Sequence, residues 1–144
     1  MAAVLILKTV LLLLLAVAAE IDFKTRTIPV FIPAAGFIAG ITLQIISGQR
    51  FLFPASGAAV GLLLLAVSLL SRQALGMGDA FLFIVTGIFL GVMNNLFLLL
   101  TSLTLAALAG SILLIKNKKA GRQSIPFSPF IFTGYILVLL FTGV

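Results

Sequence analysis

Asp22 and Asp79 are the two residues of this chain whose type and position best suit chemistry. With Glu20 they are the three carboxylates among 144 residues. Each lies where a long apolar stretch meets a short polar one, a depth at which a charged side chain costs about 3 kcal/mol and is a candidate for function. The chain contains no His, Cys or Trp. Hydrolysis by a pair of carboxylates is the simplest chemistry that this composition permits.

The missing residue types exclude several other kinds of site. Without Cys there is no disulfide and no thiolate metal site. Without His as well, a transition-metal site lacks its usual ligands, and a His-based triad is excluded. We therefore expect no metal and no cofactor. The net charge is +6, but the basic residues are scattered over loop positions. They predict membrane topology and no nucleic-acid partner.

The composition predicts an all-α membrane protein. Hydrophobic residues make up 62% of the chain and charged residues 8%, and the mean hydropathy is +1.38, too apolar for a soluble domain of this size. Apolar stretches cover residues 2–19, 30–47, 52–71, 78–93, 96–115 and 127–144, each close to the ~20 residues that a spanning helix needs. We predict a single domain over residues 1–144, a compact bundle of six transmembrane helices.

The positions of Lys and Arg predict the orientation in a cell membrane. The first, third and fifth connections carry seven basic residues, whereas the second and fourth carry Arg50 alone. By the positive-inside rule the odd connections are cytoplasmic and both termini lie outside. Asp22 and Asp79 then lie near the same, cytoplasmic face of a multi-pass protein. The seven are Lys24, Arg26, Arg72, Lys116, Lys118, Lys119 and Arg122.

Local sequence adds two expectations about the helices. The stretch that follows Asp79 is short, so Asp79 is expected within membrane depth, with Gly76 and Gly78 giving the backbone unusual freedom beside it. Glycine pairs at four-residue spacing predict close helix packing. These pairs are Gly36/Gly40, Gly57/Gly61 and Gly87/Gly91.

Other interpretations of the same residues remain open. Asp22 and Arg26 are spaced i,i+4, as are Glu20 and Lys24, so both carboxylates could form ion pairs at a helix end. Asp79 could be a polar residue at an interfacial helix start. Residues 2–19 could also be a cleavable signal peptide, although cleavage would remove the helix expected to carry Asp22.

Three ordered motifs resemble those of the type IV prepilin peptidases, which belong to the GxGD membrane aspartyl proteases. The first is Asp22 followed seven positions later by the Pro of Ile28-Pro29, and the second is the run Gly76-Met77-Gly78-Asp79. The third is the run 125–130, IPFSPF, with Pro126 and Pro129, which is similar to that family's IPFGPF motif. The resemblance covers essentially the full chain, with departures at Val30, Phe81 and Ser128.

The resemblance implies a function and a set of site residues. Asp22 and Asp79 would be the catalytic pair, with Gly76, Gly78, Ile28, Pro29, Pro126 and Pro129 as supporting motif residues. The substrate would be a prepilin-like precursor with a short basic leader and an apolar helix. That helix would lie in the lipid bilayer, and cleavage would occur at the cytoplasmic face. The bifunctional members carry Cys-x-x-Cys motifs, which this chain lacks, so a short, peptidase-only form without methyltransferase activity is expected.

Buried carboxylates also fit a different class of protein. A small proton-coupled transporter subunit could use Asp22 and Asp79 as a proton relay, and a scaffold without chemistry is a third interpretation. A relay predicts further polar residues through the bundle, and the sequence offers few of them. Neither alternative accounts for the three motifs. The precursor, its cleavage-site sequence, the roles of the two aspartates and the oligomeric state are left open by the sequence.

Overall fold

The fold is described by a computed structural model that covers residues 2–48, 52–70, 76–116 and 125–142. These residues form five α-helices and no strand, so the predicted all-α class is confirmed. The helices are α1 (Ala2–Thr25), α2 (Phe31–Ile46), α3 (Leu52–Leu70), α4 (Met77–Lys116) and α5 (Ser128–Thr142).

The predicted count of six transmembrane helices is not supported. The fourth and fifth apolar stretches belong to one element, α4. Within the described ranges, two spans are long and apolar enough to cross a membrane, Val4–Thr25 and Met77–Leu113. The other three helices are shorter apolar segments. Two long apolar helices still indicate a membrane protein.

The interruption of α4 lies at Gly91 and not at Asn94-Asn95, where the sequence predicted a break. Gly91 has φ 72° and ψ 177°, far from helical values, and such a positive φ favours glycine. Asn95 Nδ2 donates to the carbonyl of Phe83 at 3.0 Å, although a straight helix would separate residues 83 and 95 by about 18 Å. The chain therefore bends back at Gly91, between a first segment of α4 (residues 77–90) and a second segment (residues 92–116).

Asn95 tolerates burial because its amide is satisfied. Its Nδ2 also donates to the carbonyl of Gly57 at 3.1 Å, and its Oδ1 accepts a hydrogen bond from Thr86 Oγ1 at 2.7 Å. A buried amide with three partners costs little, whereas an unpaired one would cost about 1–3 kcal/mol. This is why the asparagine pair does not end a helix here.

Glycines bring α2 and α3 against the first segment of α4, as their spacing predicted. A Cβ atom on Gly57 would meet the backbone of Gly87, and one on Gly61 would meet the backbone of Ile84. A Cβ atom on Gly40 would lie 2.7 Å from the ring of Phe89. The helix backbones therefore approach more closely than any larger residue would allow.

The core joins α1, α4 and α5. Leu11 and Leu15 of α1 and Phe83 of α4 are fully buried, together with Tyr135 of α5. The Tyr135 hydroxyl donates to the carbonyl of Lys8 at 3.2 Å, which ties α5 to α1. A second contact, between Ser128 at the start of α5 and Asp22 near the end of α1, holds the other ends of these helices together.

The Gly57 contact predicts a strong effect of a single methyl group. In Gly57→Ala the new Cβ would collide with the Gly87 backbone, which cannot move aside as a side chain can. We expect a loss of about 1–3 kcal/mol of stability, seen as a lower midpoint of thermal unfolding in detergent micelles. Gly110→Ala is the matched control, because its Cβ would meet only Ile125 Cδ1 at 3.8 Å. Equal midpoints for the two variants would contradict this packing.

Candidate active site

Asp22 lies near the end of α1 and is held by the start of α5. Its side chain is 5% exposed, and its Oδ2 accepts a hydrogen bond from the backbone N–H of Ser128 at 3.0 Å. The first N–H groups of a helix have no partner within the helix, and the helix dipole favours a negative charge there. The buried carboxylate of Asp22 therefore accepts a hydrogen bond from the N-terminus of α5.

The two prolines of the third motif favour the start of α5 at this position. Pro129 follows Ser128 in the first turn of α5, where proline is favoured because its missing N–H would have no helical partner. Pro126 precedes the helix, at a position where proline disfavours helical backbone in the residue before it. Both predicted supporting residues thus lie beside the contact with Asp22.

Asp79 lies in the first turn of α4. Its backbone N–H donates to the carbonyl of Gly76 at 3.1 Å, and a Cβ atom on Gly76 would lie 2.8 Å from Asp79 Oδ2. Its other carboxylate oxygen, Oδ1, is buried and has no hydrogen-bond partner among the described residues. The glycine leaves room for the carboxylate, and the carboxylate keeps an oxygen available for a ligand.

The Ile28-Pro29 motif packs against the start of α4, beside Asp79. A Cβ atom on Gly78 would lie 2.9 Å from the Cβ of Ile28, so this glycine allows the connection between α1 and α2 to pass closely over the start of α4. Pro29 O accepts the N–H of Ile32 at 3.1 Å, which starts α2. The connection includes Arg26, whose φ of 54° turns the chain away from α1.

The structure brings Asp22 and Asp79 into one cavity of about 320 Å³. Gly76, Gly78 and Ile28 line it as well. The two carboxylates are close enough to interact electrostatically, and the side chain of Ser128 lies beside Asp79. This is an arrangement in which one carboxylate can hold a proton while the other is ionised.

Of the two ion pairs that the sequence allowed, the structure contains the one between Glu20 and Lys24. Lys24 Nζ and Glu20 Oε1 are 2.6 Å apart, and both side chains are exposed, so Glu20 is a helix-end partner of Lys24. No ion pair joins Asp22 to Arg26 in the described ranges. Asp22 is therefore explained by its contact with α5, and Glu20 has no part in the cavity.

Ser128 is the residue that sequence reasoning missed. The sequence showed it only as a departure from a glycine in the third motif, and no local pattern connects it to Asp22 or Asp79. Its side chain is 1% exposed, and its hydroxyl has no hydrogen-bond partner among the described residues. The hydroxyl of Ser128 and Oδ1 of Asp79 are thus two unpaired polar atoms at one site.

A protein metal site usually draws several ligands from neighbouring residues. The described residues contain no group of three or more His, Cys, Asp or Glu side chains that could hold a metal ion. Two carboxylates without further anionic ligands suit proton transfer to and from water better than they suit cation binding.

A model of the type IV leader peptidase family matches residues 9–115. The chain belongs to this family. The match confirms the resemblance inferred from the motifs, and it includes both aspartates and Ile28-Pro29 but ends before Pro126.

One curated leader peptidase can be compared directly. The chain is 38% identical over 86 residues to the prepilin leader peptidase/N-methyltransferase of Bacillus subtilis (strain 168). The aligned region is 59% of this chain and 35% of that protein, so the chain spans about a third of the relative's length. No solved structure is significantly similar to the chain.

Gly76→Ala tests whether the placement of Asp79 matters. The new methyl group would lie 2.8 Å from Asp79 Oδ2, and the carboxylate can swing away, so the fold should survive. We expect peptidase activity to fall by about 10-fold or more, since a displacement of about 1 Å at a reacting group can cost about 100-fold. The measurements are cleavage of a prepilin peptide and the unfolding midpoint, with Gly110→Ala as control. A folded variant with wild-type cleavage would show that this placement is unimportant.

Proposed function

We propose that the protein is a membrane-embedded aspartyl endopeptidase with Asp22 and Asp79 as its catalytic pair. The substrate is a prepilin-like precursor, such as a type IV pilin, pseudopilin or archaellin, whose short leader is removed by hydrolysis without methyl transfer. The observation that carries the proposal is the shared cavity, which holds both aspartates of a chain in the leader peptidase family. Gly76, Gly78, Ile28, Pro29, Pro126 and Pro129 act as supporting residues around it.

The mechanism uses the two carboxylates in different protonation states. The ionised carboxylate takes a proton from a water molecule, whose oxygen attacks the carbonyl carbon of the scissile peptide bond. The protonated carboxylate donates a hydrogen bond to the carbonyl oxygen, where negative charge develops. The C–N bond then breaks as the leaving nitrogen takes the proton that the base drew from water. The products are a free carboxyl group and a free amine, and both carboxylates return to their starting protonation states.

The contacts around the pair give Asp22 and Asp79 unequal surroundings. Asp22 Oδ2 already accepts the Ser128 N–H at 3.0 Å, so this oxygen is held as a hydrogen-bond acceptor. Asp79 Oδ1 is buried without such a donor. We therefore propose Asp22 as the base that receives the proton of water and Asp79 as the acid, a division that the sequence left open.

The proton-relay alternative has less support from the buried polar residues. Thr86 donates to Asn95, Gln44 donates to the carbonyl of Ile88, and Ser102 donates to the carbonyl of Leu98. These groups are occupied by packing contacts between and within helices. A relay would need them as a continuous path leading from Asp79, and none of these hydrogen bonds reaches a carboxylate.

Conservative substitutions of the pair test catalysis. Asp22→Asn and Asp79→Asn keep the shape of the side chain, so each should abolish cleavage while the protein still inserts and accumulates. The double variant should lose little more than either single one, because the two residues act as a unit. The readout is the mobility shift of a co-expressed prepilin, and the mass of the mature N-terminus reports any added methyl group.

Glu20→Gln is the matched control for loss of a carboxylate, since Glu20 pairs with Lys24 at an exposed site. It should cleave at nearly the wild-type rate. Substantial cleavage by a well-accumulated Asp79→Asn protein would overturn the peptidase mechanism, and the relay would then be the better explanation.

We also propose that the pair lies near the cytoplasmic face of the cell membrane and that both termini are outside. Support comes from seven basic residues at the connections from α1 to α2, α3 to α4 and α4 to α5, against Arg50 alone between α2 and α3. Because the chain bends back at Gly91 within α4, both termini can lie on the same side. Single cysteines at Lys116 and Arg50 test this in a chain that has none of its own. In intact cells an impermeant thiol reagent should label the Arg50→Cys protein and spare Lys116→Cys. The reverse pattern would invert the topology.

A further inference from the structure

The cavity of the two aspartates continues into an apolar groove along α2. This second space, of about 440 Å³, shares Val30, Pro33 and Phe81 with the aspartate cavity. Its further lining includes Ile38 from α2 and Leu62 from α3, both well exposed. The aspartate cavity and this apolar groove thus adjoin each other along the start of α2.

A third space extends the groove to the far end of α2. It has a volume of about 250 Å³, shares Phe37 with the second space, and reaches Gln44, Pro54 and Ile88. From the aspartate cavity to the third space, the residue numbers of the lining side chains increase along α2 and along the first segment of α4. Along α3 they decrease. The three spaces therefore lie in a row. From Val30 to Gln44 the groove is about 20 Å long, measured as helix rise.

The groove exists because α2 and α3 both pack on the first segment of α4 but do not pack closely on each other. Gly40 of α2 contacts Phe89, and Gly61 of α3 contacts Ile84, both in the first segment of α4. Within the described ranges α2 and α3 have little or no direct packing with each other. The first segment of α4 therefore forms the base of the groove, and α2 and α3 form its two sides.

The lining determines what could occupy the groove. The second space is lined by apolar residues throughout, and the polar group at the far end is the Gln44 amide, whose Oε1 is buried without a partner. An occupant must therefore be apolar over about 20 Å. At membrane depth its backbone groups must also be satisfied internally, which requires a helix.

We propose that this groove binds an apolar helical segment of the peptide substrate, about 14 residues long, on one side of the scissile bond. The segment is identified by continuity, since a peptide held between Asp22 and Asp79 must leave their cavity and the groove begins at the cavity's own lining residues. The inference rests on the proposed peptidase function and adds the surface that recognises the substrate. Residues of α2 and α3 that contact no catalytic group then determine substrate binding.

Leu62→Trp and Leu63→Trp form a matched pair that tests the groove. Leu62 lines the groove and is 56% exposed, whereas its neighbour Leu63 is 68% exposed and does not line it. The larger side chain at 62 should narrow the groove and raise KM for a synthetic prepilin peptide by about 5-fold or more, with kcat nearly unchanged, as expected when binding is lost equally from ground and transition states. Leu63→Trp should leave both constants unchanged.

Crosslinking identifies the occupant directly. A single cysteine at Leu62 or Leu63, labelled with a photoreactive maleimide, is irradiated in lipid vesicles with the same peptide in the Asp79→Asn background. We expect the Leu62 probe to label the apolar segment of the peptide and the Leu63 probe to label lipid. Labelling of lipid alone from Leu62, or of the leader, would overturn the proposal, as would an unchanged KM in Leu62→Trp.

Failure of the groove is distinguishable from failure of the peptidase. If the wild-type protein does not cleave the peptide, the proposed function is wrong. If it cleaves and depends on Asp22 and Asp79 while Leu62→Trp has no effect on KM, the groove proposal alone is wrong. Equal unfolding midpoints for Leu62→Trp and Leu63→Trp would show that any change in KM comes from the groove and not from the fold.

Discussion

A hydrogen bond from the Ser128 backbone to the Asp22 carboxylate connects the end of α1 with the beginning of α5, across 106 positions of sequence. It satisfies a donor that a helix start cannot satisfy itself and holds one carboxylate of the site in a buried position. The same contact therefore determines where α5 begins and where Asp22 points. Ser128 lies at the centre of this arrangement because its unpaired hydroxyl is also near Asp79.

The same features that leave the carboxylates available to react lower the free energy of unfolding. Asp79 keeps a buried oxygen without a donor, and an unsatisfied buried polar group costs the fold about 1–3 kcal/mol or more. Gly76 and Gly78 add backbone freedom beside it where larger residues would fill the space. A packing-only role would favour neutral, well-paired groups at this position. The two carboxylates are instead held together by helix ends that converge from α1, α4 and α5.

Backbone contact between glycines has a consequence away from the aspartates. Because α3 lies directly on the first segment of α4 at Gly57 and Gly87, α2 is left to pack on another side of the same segment. The space between α2 and α3 follows from this division and leads away from the candidate active site. Close packing in one pair of helices thus creates the opening between another pair.

The sequence by itself determined the helical membrane class, the family and the two aspartates as candidates, because composition and short motifs are local properties. The predicted six transmembrane helices are not supported. The chain bends at Gly91 and not at Asn94-Asn95, because Asn95 finds partners in α3 and the first segment of α4. The motifs named Gly76, Gly78 and Ile28 without saying that Ile28 packs on Gly78. The contact of Asp22 with Ser128 and the groove beside Leu62 were decided by tertiary structure alone, because each depends on helices distant in the chain meeting, or failing to meet, in space.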